Sequence, residues 1–350
     1  MSSTQYDDAI LDSNAIDPTD KNGNPIPVTI PIMLAPGIKV VYTTRLGGTS
    51  EGDFAHFNLG GKSGDKPEHV LANRKALADV LGAKISLISQ VHSGDAVDVD
   101  ESFVINQPFG FDVSGTKKPE DETDGENNAT DGENNATGND GEPTVIEADG
   151  QVTSRKNVAL GMFAADCLPV LMADPEAGVI GAAHCGRRGL QKGVIGATIE
   201  KMVSKGAQPE RIVATLGPCI CGDCYEVGGD IADEFDAQFP GTFTLSRFGQ
   251  PGIDIAAAAL QELAKAGVPA DNIVSSRPRV NAATQYLSED EELAGICAAD
   301  GEGDPKLSER FNKIRRSLCT LENPLWFSHR RASLAKKQHE GRMLALIVRE

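Results

Sequence analysis

Two histidines and one cysteine stand at the ends of apolar runs in glycine-flanked, polar surroundings. His92 lies in Ser89-Gln90-Val91-His92-Ser93-Gly94, Cys167 in Ala164-Ala165-Asp166-Cys167-Leu168-Pro169, and His184 in Gly181-Ala182-Ala183-His184-Cys185-Gly186. Two imidazoles and a thiolate suffice to hold a Zn²⁺ ion and leave its fourth position open, which is the ligand count of a catalytic site rather than a structural one. The spacings, 75 residues from His92 to Cys167 and 17 from Cys167 to His184, are not those of a local metal motif. Only the fold could bring the three together. The same residues also admit two other readings: strand-end histidines beside a buried thiol, or Cys167 as a nucleophile activated by His184.

The elements that would position them alternate between strand-like and helix-like periods. Ile38 to Thr44, Ile85 to Val91, Asn157 to Ala164, Val170 to Ala173, Val179 to Ala183, Arg211 to Leu216 and Met343 to Val348 read as strands. Lys66 to Leu81, Gly193 to Val203 and Ile253 to Ala266 read as helices. Strands outnumber clean β-α-β alternations. The expected fold is therefore a single α/β domain with a mixed β-sheet core flanked by helices, not a doubly wound parallel sheet.

Composition narrows the function. The 350 residues carry 33 Lys plus Arg against 51 Asp plus Glu, a net charge of -18 that repels nucleic acid and argues against it as a partner. Nine acids and no base fall between Glu120 and Glu142, so half of the excess is local. That stretch holds DGENNAT twice in tandem (124 to 130 and 131 to 137) and almost no large apolar residue. Residues 114 to 145 are accordingly expected to form a disordered acidic loop, and residues 1 to 24 a flexible tail, leaving a catalytic domain over 25 to 350. The longest apolar or glycine run, Val158 to Ala165, has eight residues, too few for a membrane span. An acidic start without a basic, apolar leader and seven scattered cysteines without a disulfide pattern make the expected location cytoplasmic.

Further motifs extend the chemistry. Thr43-Thr44-Arg45-Leu46-Gly47-Gly48-Thr49-Ser50, followed by Phe57-Asn58-Leu59-Gly60, resembles the opening TTRxGGxS and FNxG of the polyphenol-oxidase-like purine nucleoside phosphorylases, formerly called laccase-domain proteins. In chain order, Gln90-Val91-His92 resembles QVH, Ala148-Asp149-Gly150 ADG, Ala165 to Pro169 ADCxP and His184 to Gly189 HAGWRG. Leu216 to Ile220 resembles LGPxI, Cys224 to Gly228 CYEVG, and Phe327-Ser328-His329-Arg330-Arg331 with Gly341-Arg342 the closing FSYRR and GR. The resemblance implies a single α/β domain with His92, Cys167 and His184 as zinc ligands. It also implies phosphorolysis of adenosine, inosine and methylthioadenosine, with adenosine deamination in the same pocket. Arg187 stands where the family has Trp, Cys185 where it has a small apolar residue and Ser93 where it has Gly.

On that footing each residue type has a task. A zinc-activated water attacking C6 of adenine needs a carboxylate to move protons, and Asp166 and Glu226 are the candidates. Phosphorolysis needs a cationic cradle: Arg45 and Arg188, each beside glycines, are expected to hold phosphate at the mouth of a helix, with Asn58 and Gln90 also expected to contact substrate. Copper is the less favoured metal, since a multicopper oxidase needs many imidazoles and this chain has six His. Copper-dependent polyphenol oxidation and a Cys167–His184 hydrolase are the alternatives. Purine nucleosides and phosphate are the expected small-molecule partners, and no feature fixes an oligomeric state. Cys219, Cys221 and Cys224 in CICGDC look like a second metal or redox site, since Cys221-Gly222-Asp223-Cys224 is a CxxC, but no second Cys pair or His stands nearby in sequence, so a structural or incidental role is expected.

Overall fold

The predicted strand runs assemble into two sheets, not one. In the computed structural model, which describes residues 20–102 and 146–350, the strands are β1 (Thr29–Ala35), β2 (Ile38–Thr43), β3 (Lys84–Ser86), β4 (Ala96–Asp98), β5 (Gly150–Thr153), β6 (Val158–Ala164), β7 (Leu168–Asp174), β8 (Val179–Cys185), β9 (Val213–Leu216), β10 (Phe243–Leu245), β11 (Pro251–Ile253) and β12 (Met343–Arg349). The first sheet has the order β1-β2-β12-β6-β3 and the second β4-β5-β8-β7-β9, with β10 and β11 a separate ribbon. Each five-stranded sheet is mixed, because β3 runs parallel to β6 and β4 parallel to β5 while the other pairs are antiparallel.

Side-chain alternation shows how the sheets stack. Val40, Tyr42, Leu160, Met162, Ala345 and Ile347 of the first sheet share one core with Leu171, Ala173, Ile180 and Ala182 of the second. The intervening residues point outward. Val41, Ala159, Leu344 and Leu346 pack with Leu77 of the helix Pro67–Leu81, and Val170, Met172, Val179 and Ala183 pack with the helices Val194–Ser204 and Ile255–Lys265. The result is a helix–sheet–sheet–helix stack in which the central strands are buried on both faces. That double burial explains why they read as continuous apolar runs.

The helices carry their own signals. Val194, Ile195, Thr198, Ile199 and Met202 are buried along one stripe, and Gly82, at φ 60°, closes the helix Pro67–Leu81 as a left-handed cap. Asp254 caps the helix Ile255–Lys265 by accepting from the N–H groups of Ala256 and Ala257.

The predicted strand Ile85 to Val91 stops early. After Ser86 the chain leaves the first sheet, and Gln90 instead ties its side chain to Phe163 at the end of β6. The acidic segment 114 to 145 lies outside the described residues, as do residues 1 to 19 of the expected tail. Residues 20 to 24 form a turn in which the Asp20 carboxylate accepts from the N–H groups of Asn22 and Asn24. Among the described residues no helix is long and apolar enough to cross a membrane.

Twice the chain crosses from the first sheet to the second at the same end of the stack, between β3 and β4 and between β6 and β7. His92 is on the first crossing and Cys167 on the second.

Candidate metal centre and its cleft

The register of the β7–β8 pair sets Pro169 opposite His184 and Leu168 opposite Cys185, which brings Cys167 level with Gly186. His92 arrives from the other crossing. The ligand atoms of His92, Cys167 and His184 lie within 4.8 Å of one another, with Cys167 Sγ 3.7 Å from His92 Nε2. Tetrahedral coordination at about 2.3 Å to sulfur and about 2.0 Å to nitrogen requires those two atoms to stand about 3.5 Å apart. The donor set therefore fits a zinc-like ion with little movement. Gly186 keeps the space open: a Cβ there would come within 2.9 Å of Cys167 Sγ and 3.0 Å of His92 Cδ2.

Strain marks the same place. His92 has φ 57° and Asp166 φ 99°, left-handed values that side-chain-bearing residues seldom adopt. Both turns are held by hydrogen bonds rather than by glycine.

Asp149, immediately before β5, organises the ligands. Its Oδ1 accepts from His184 Nδ1 at 2.7 Å, and its Oδ2 accepts from the N–H groups of Ser93 at 2.6 Å and Val91 at 3.2 Å, on either side of His92. One carboxylate thus fixes the imidazole that carries one ligand atom and the loop that carries another. Burial would raise the Asp149 carboxyl, but His184 and the Ser93 N–H hold it below the ordinary carboxylate range. Burial likewise opposes the Cys167 thiolate, yet His184 and His92 beside it bring the thiol down to about 6. For His184 burial disfavours the cation, and Cys167 and Asp149 outweigh it, lifting the imidazole to about 9. Between about 6 and about 9 these shifts favour a thiolate beside an imidazolium.

These ligands lie in the wall of a cleft of about 530 Å³, within the range of small-molecule sites. Ile88, Phe163, Ala165 and Ile220 give it an apolar side, and Tyr225 a phenol that burial pushes up to about 12. Lys62, Arg330 and Arg342 line it as cations, together with His329. Glu340 accepts from His329 Nδ1 at 2.9 Å and raises its pKa, so the ring keeps its proton to higher pH.

Of the residues expected from the sequence, Asp166 and Gln90 line the cleft beside the three ligands. Asp166 accepts from Thr320 Oγ1 and from the Arg330 N–H, each at 2.6 Å. The Gln90 side chain is engaged on both sides with the Phe163 backbone, which anchors the turn before His92. Four expectations require correction. Arg45 does not face the cleft: it is fully buried, paired with Asp300 at 3.2 Å and Glu302 at 3.5 Å, with its guanidinium over the Phe327 ring. A cation that deep needs carboxylates, and the fold supplies them from the segment that follows the helix Glu291–Ala299. Asn58 is also fully buried. Its Oδ1 accepts from the N–H groups of Gly60 and Arg342, and its Nδ2 donates to Ser63 and Asp65, so it shapes the loop around Lys62 without lining the cleft. Arg188 is exposed on the five-residue helix Arg187–Gln191 and does not line it either. Glu226 points away, accepting from Ser246 Oγ at 2.5 Å, while its carbonyl accepts from the Arg330 guanidinium at 2.7 Å.

The departures from the family motifs fall around the centre. Arg187 donates to Gln191, Cys185 is a buried thiol that burial raises well above its usual pKa, and Ser93 donates its N–H to Asp149. His329, which stands where the family motif has Tyr, lines the cleft. Sequence reasoning missed Asp149, Lys62, Arg330 and Arg342 in the cleft and its supports. Three of them stood inside quoted motifs (ADG, FSHRR, GR), where their roles waited on knowing which side chains turn inward.

A family model described as multi-copper polyphenol oxidoreductase laccase matches residues 39–292. Among curated relatives, a purine nucleoside phosphorylase of Streptomyces griseus is 37% identical over 230 residues, covering 65% of this chain and 79% of its own. One of Deinococcus radiodurans is 38% identical over 241 residues, 68% of this chain and 80% of its own. An adenosine deaminase from an unknown prokaryotic organism is 30% identical over 248 residues, 69% and 83% of the two chains. A crystal structure of a Neisseria meningitidis protein superposes with a TM-score of 0.61 at 28% identity, covering 93% of this chain and 99% of that one.

Proposed function

The chain belongs to the multi-copper polyphenol oxidoreductase laccase family, and on that premise we propose that it is a zinc-dependent purine nucleoside phosphorylase with adenosine deaminase activity. The relatives named as phosphorylases and as a deaminase support the class of reaction. One structural observation carries the reading: a His–Cys–His ligand set opens into the same cleft as Lys62, Arg330, Arg342 and a proton-holding His329. When bound, the ion supplies a Lewis acid with one open coordination position.

This chain's own residues do the rest. Phosphate near neutral pH carries close to two negative charges, and in a chain of net charge -18 it needs a local cationic surface. Arg330 and Arg342 offer forked donors, and Lys62 and His329 offer point charges. The Arg330 guanidinium, 5.8 Å from the Tyr225 ring centre and donating to the Glu226 carbonyl, is pre-positioned rather than free to swing. Phe163, Ile88 and Tyr225 present flat and apolar surface to a purine. Asp166, next in sequence to Cys167 and oriented by Thr320 and the Arg330 N–H, is the carboxylate placed to carry a proton in deamination. Zinc is preferred to copper because one soft thiolate and two imidazoles suit one tetrahedral ion.

A specific geometry favours a second reading. Cys167, His184 and Asp149 are linked as nucleophile, base and orienting carboxylate would be in a cysteine hydrolase. One thiolate cannot serve as both ligand and nucleophile, so zinc that blocks alkylation of Cys167 without blocking turnover excludes it.

The deciding experiment is incubation of the pure protein with adenosine and phosphate, with chromatographic separation of adenine, ribose 1-phosphate and inosine. Adenine with ribose 1-phosphate reports phosphorolysis and inosine reports deamination. Failure to form any of the three with zinc-loaded protein overturns the proposal.

A further inference from the structure

Behind the cleft a second group of ligand types converges that the catalytic reading does not use. Cys221 and Cys224, from the CxxC turn, meet Cys319 and Glu322 from a segment almost a hundred residues later, with ligand atoms within 4.8 Å of one another. Glu322 Oε1 lies 3.8 Å from Cys221 Sγ and 3.6 Å from Cys224 Sγ. A tetrahedral ion bound at about 2.3 Å to sulfur and about 2.0 Å to oxygen asks for about 3.5 Å between such atoms. The missing second half of the CxxC is thus supplied by the fold. We propose that Cys221, Cys224, Cys319 and Glu322 form a second, structural zinc site.

Three features separate this cluster from a chance meeting of thiols. Glu322 is aimed: its Oε2 accepts the N–H groups of Arg315 at 2.6 Å and Arg316 at 2.9 Å, which leaves Oε1 turned toward the cysteines. The donor set is closed, with four protein ligands and no position reserved for water, as in structural rather than catalytic zinc sites. Arg247 donates to both Cys224 Sγ and Glu322 Oε1, and so offsets part of the negative charge that three thiolates and a carboxylate would leave around a divalent ion. A disulfide would join only two of the three sulfurs, would require an oxidant, and would leave Glu322 facing a lone thiol. Zinc uses all four, and its binding releases the thiol protons to solvent without a redox partner.

The site also has something to hold. The cysteine turn is bracketed by Ile220 and Tyr225, which line the catalytic cleft, and between Cys319 and Glu322 lies Thr320, which orients Asp166. The two segments already touch through Cys219 N–H to Leu318 carbonyl at 3.0 Å and Thr320 N–H to Cys219 carbonyl at 3.1 Å. An ion across them staples the apolar wall of the cleft to the loop that sets its carboxylate.

The test stands apart from the catalytic proposal. The His92→Ala/His184→Ala double variant of the full chain removes the first ligand set, and its metal is then counted by mass spectrometry of the elements after reconstitution with Zn²⁺ and gel filtration. One zinc per chain is expected, with two in the parent protein. Cys319→Ser in the double-variant background should lose it. Because that substitution can also unfold the chain, a second measurement uses the double variant itself: Zn²⁺ should protect Cys221, Cys224 and Cys319 together from iodoacetamide, as mapped by peptide mass. A double variant that retains no zinc overturns the site. So does alkylation of the three cysteines unaffected by Zn²⁺, or a disulfide among them in the reduced, metal-loaded protein.

Discussion

Asp149 and His184 form a buried carboxylate–imidazole pair, Oδ1 to Nδ1 at 2.7 Å, that leaves only Nε2 of the ring to face Cys167 and His92. The other oxygen of the same carboxylate clamps the backbone on both sides of His92. His184 on β8 and His92 on the crossing between β3 and β4 therefore share one orienting group.

Asp149→Asn should separate orientation from ligation. The amide can still accept from His184 through its oxygen, but its NH₂ group then opposes the Ser93 and Val91 N–H groups. Outer partners of this kind typically change metal affinity by about 10- to 100-fold. Competition with a chromophoric chelator should show a loss in that range with the ligands themselves intact. Unchanged affinity would mean that the turn holds His92 without the carboxylate.

Metal affinity should rise with pH, in two regimes. In the metal-free protein the Cys167 thiol titrates at about 6 and the His184 imidazolium at about 9, and a metal requires thiolate and neutral imidazole. Between those values binding displaces one proton, from His184, so affinity should climb about tenfold per pH unit. Below about 6 a second proton is displaced and the slope should steepen. Isothermal titration in buffers of different ionisation heat counts the protons directly. No proton release near neutrality would contradict the thiolate–imidazolium pair.

Much of this architecture was legible because its signals are local. Val158–Ala164 and residues 343–348 are short, uninterrupted runs of apolar residues and glycine, which give strands whatever their partners. The convergence of His92, Cys167 and His184 as a candidate metal-ligating group was legible for a related reason: all three sit in fixed motifs at or beside strand ends. The split into two sheets was not legible, since strands buried on both faces read alike in one sheet or two. Arg45 misled because a glycine-flanked arginine at a strand end has the same sequence signature whether it meets a ligand or, as here, Asp300 and Glu302 from a region some 250 residues away. Glu322 and Cys319 were missed because their approach to Cys221 and Cys224 is wholly tertiary.

Arg45→Met should cost stability rather than substrate affinity. Removing it leaves Asp300 and Glu302 buried with one cation fewer, and breaking a buried pair costs about 3–5 kcal/mol. A fall in the urea midpoint of corresponding size is expected. Arg188→Ala, at an exposed position, should stay within about 0.5 kcal/mol of the parent protein. A phosphate KM raised by Arg45→Met at unchanged stability would return that residue to the substrate.

The proposed phosphate cradle provides the sharpest kinetic contrast. Arg330 contributes in two separable ways: its backbone N–H holds Asp166, and its guanidinium, braced by the Glu226 carbonyl, faces the cleft. Arg330→Ala removes the second and keeps the first. A lost charge-assisted contact of about 1.5–3 kcal/mol should raise the phosphate KM or lower phosphorolysis by roughly tenfold or more, whereas deamination, which uses water and Asp166, should fall much less. His329 adds a pH signature. Glu340 raises its pKa, so the cation is present below that raised value and lost above it, and the phosphate KM should increase as pH climbs through it. His329→Gln should abolish that limb while the deamination profile keeps its shape. If Arg330→Ala depressed both reactions equally, the guanidinium would be supporting Tyr225 and the wall of the cleft instead of the attacking anion.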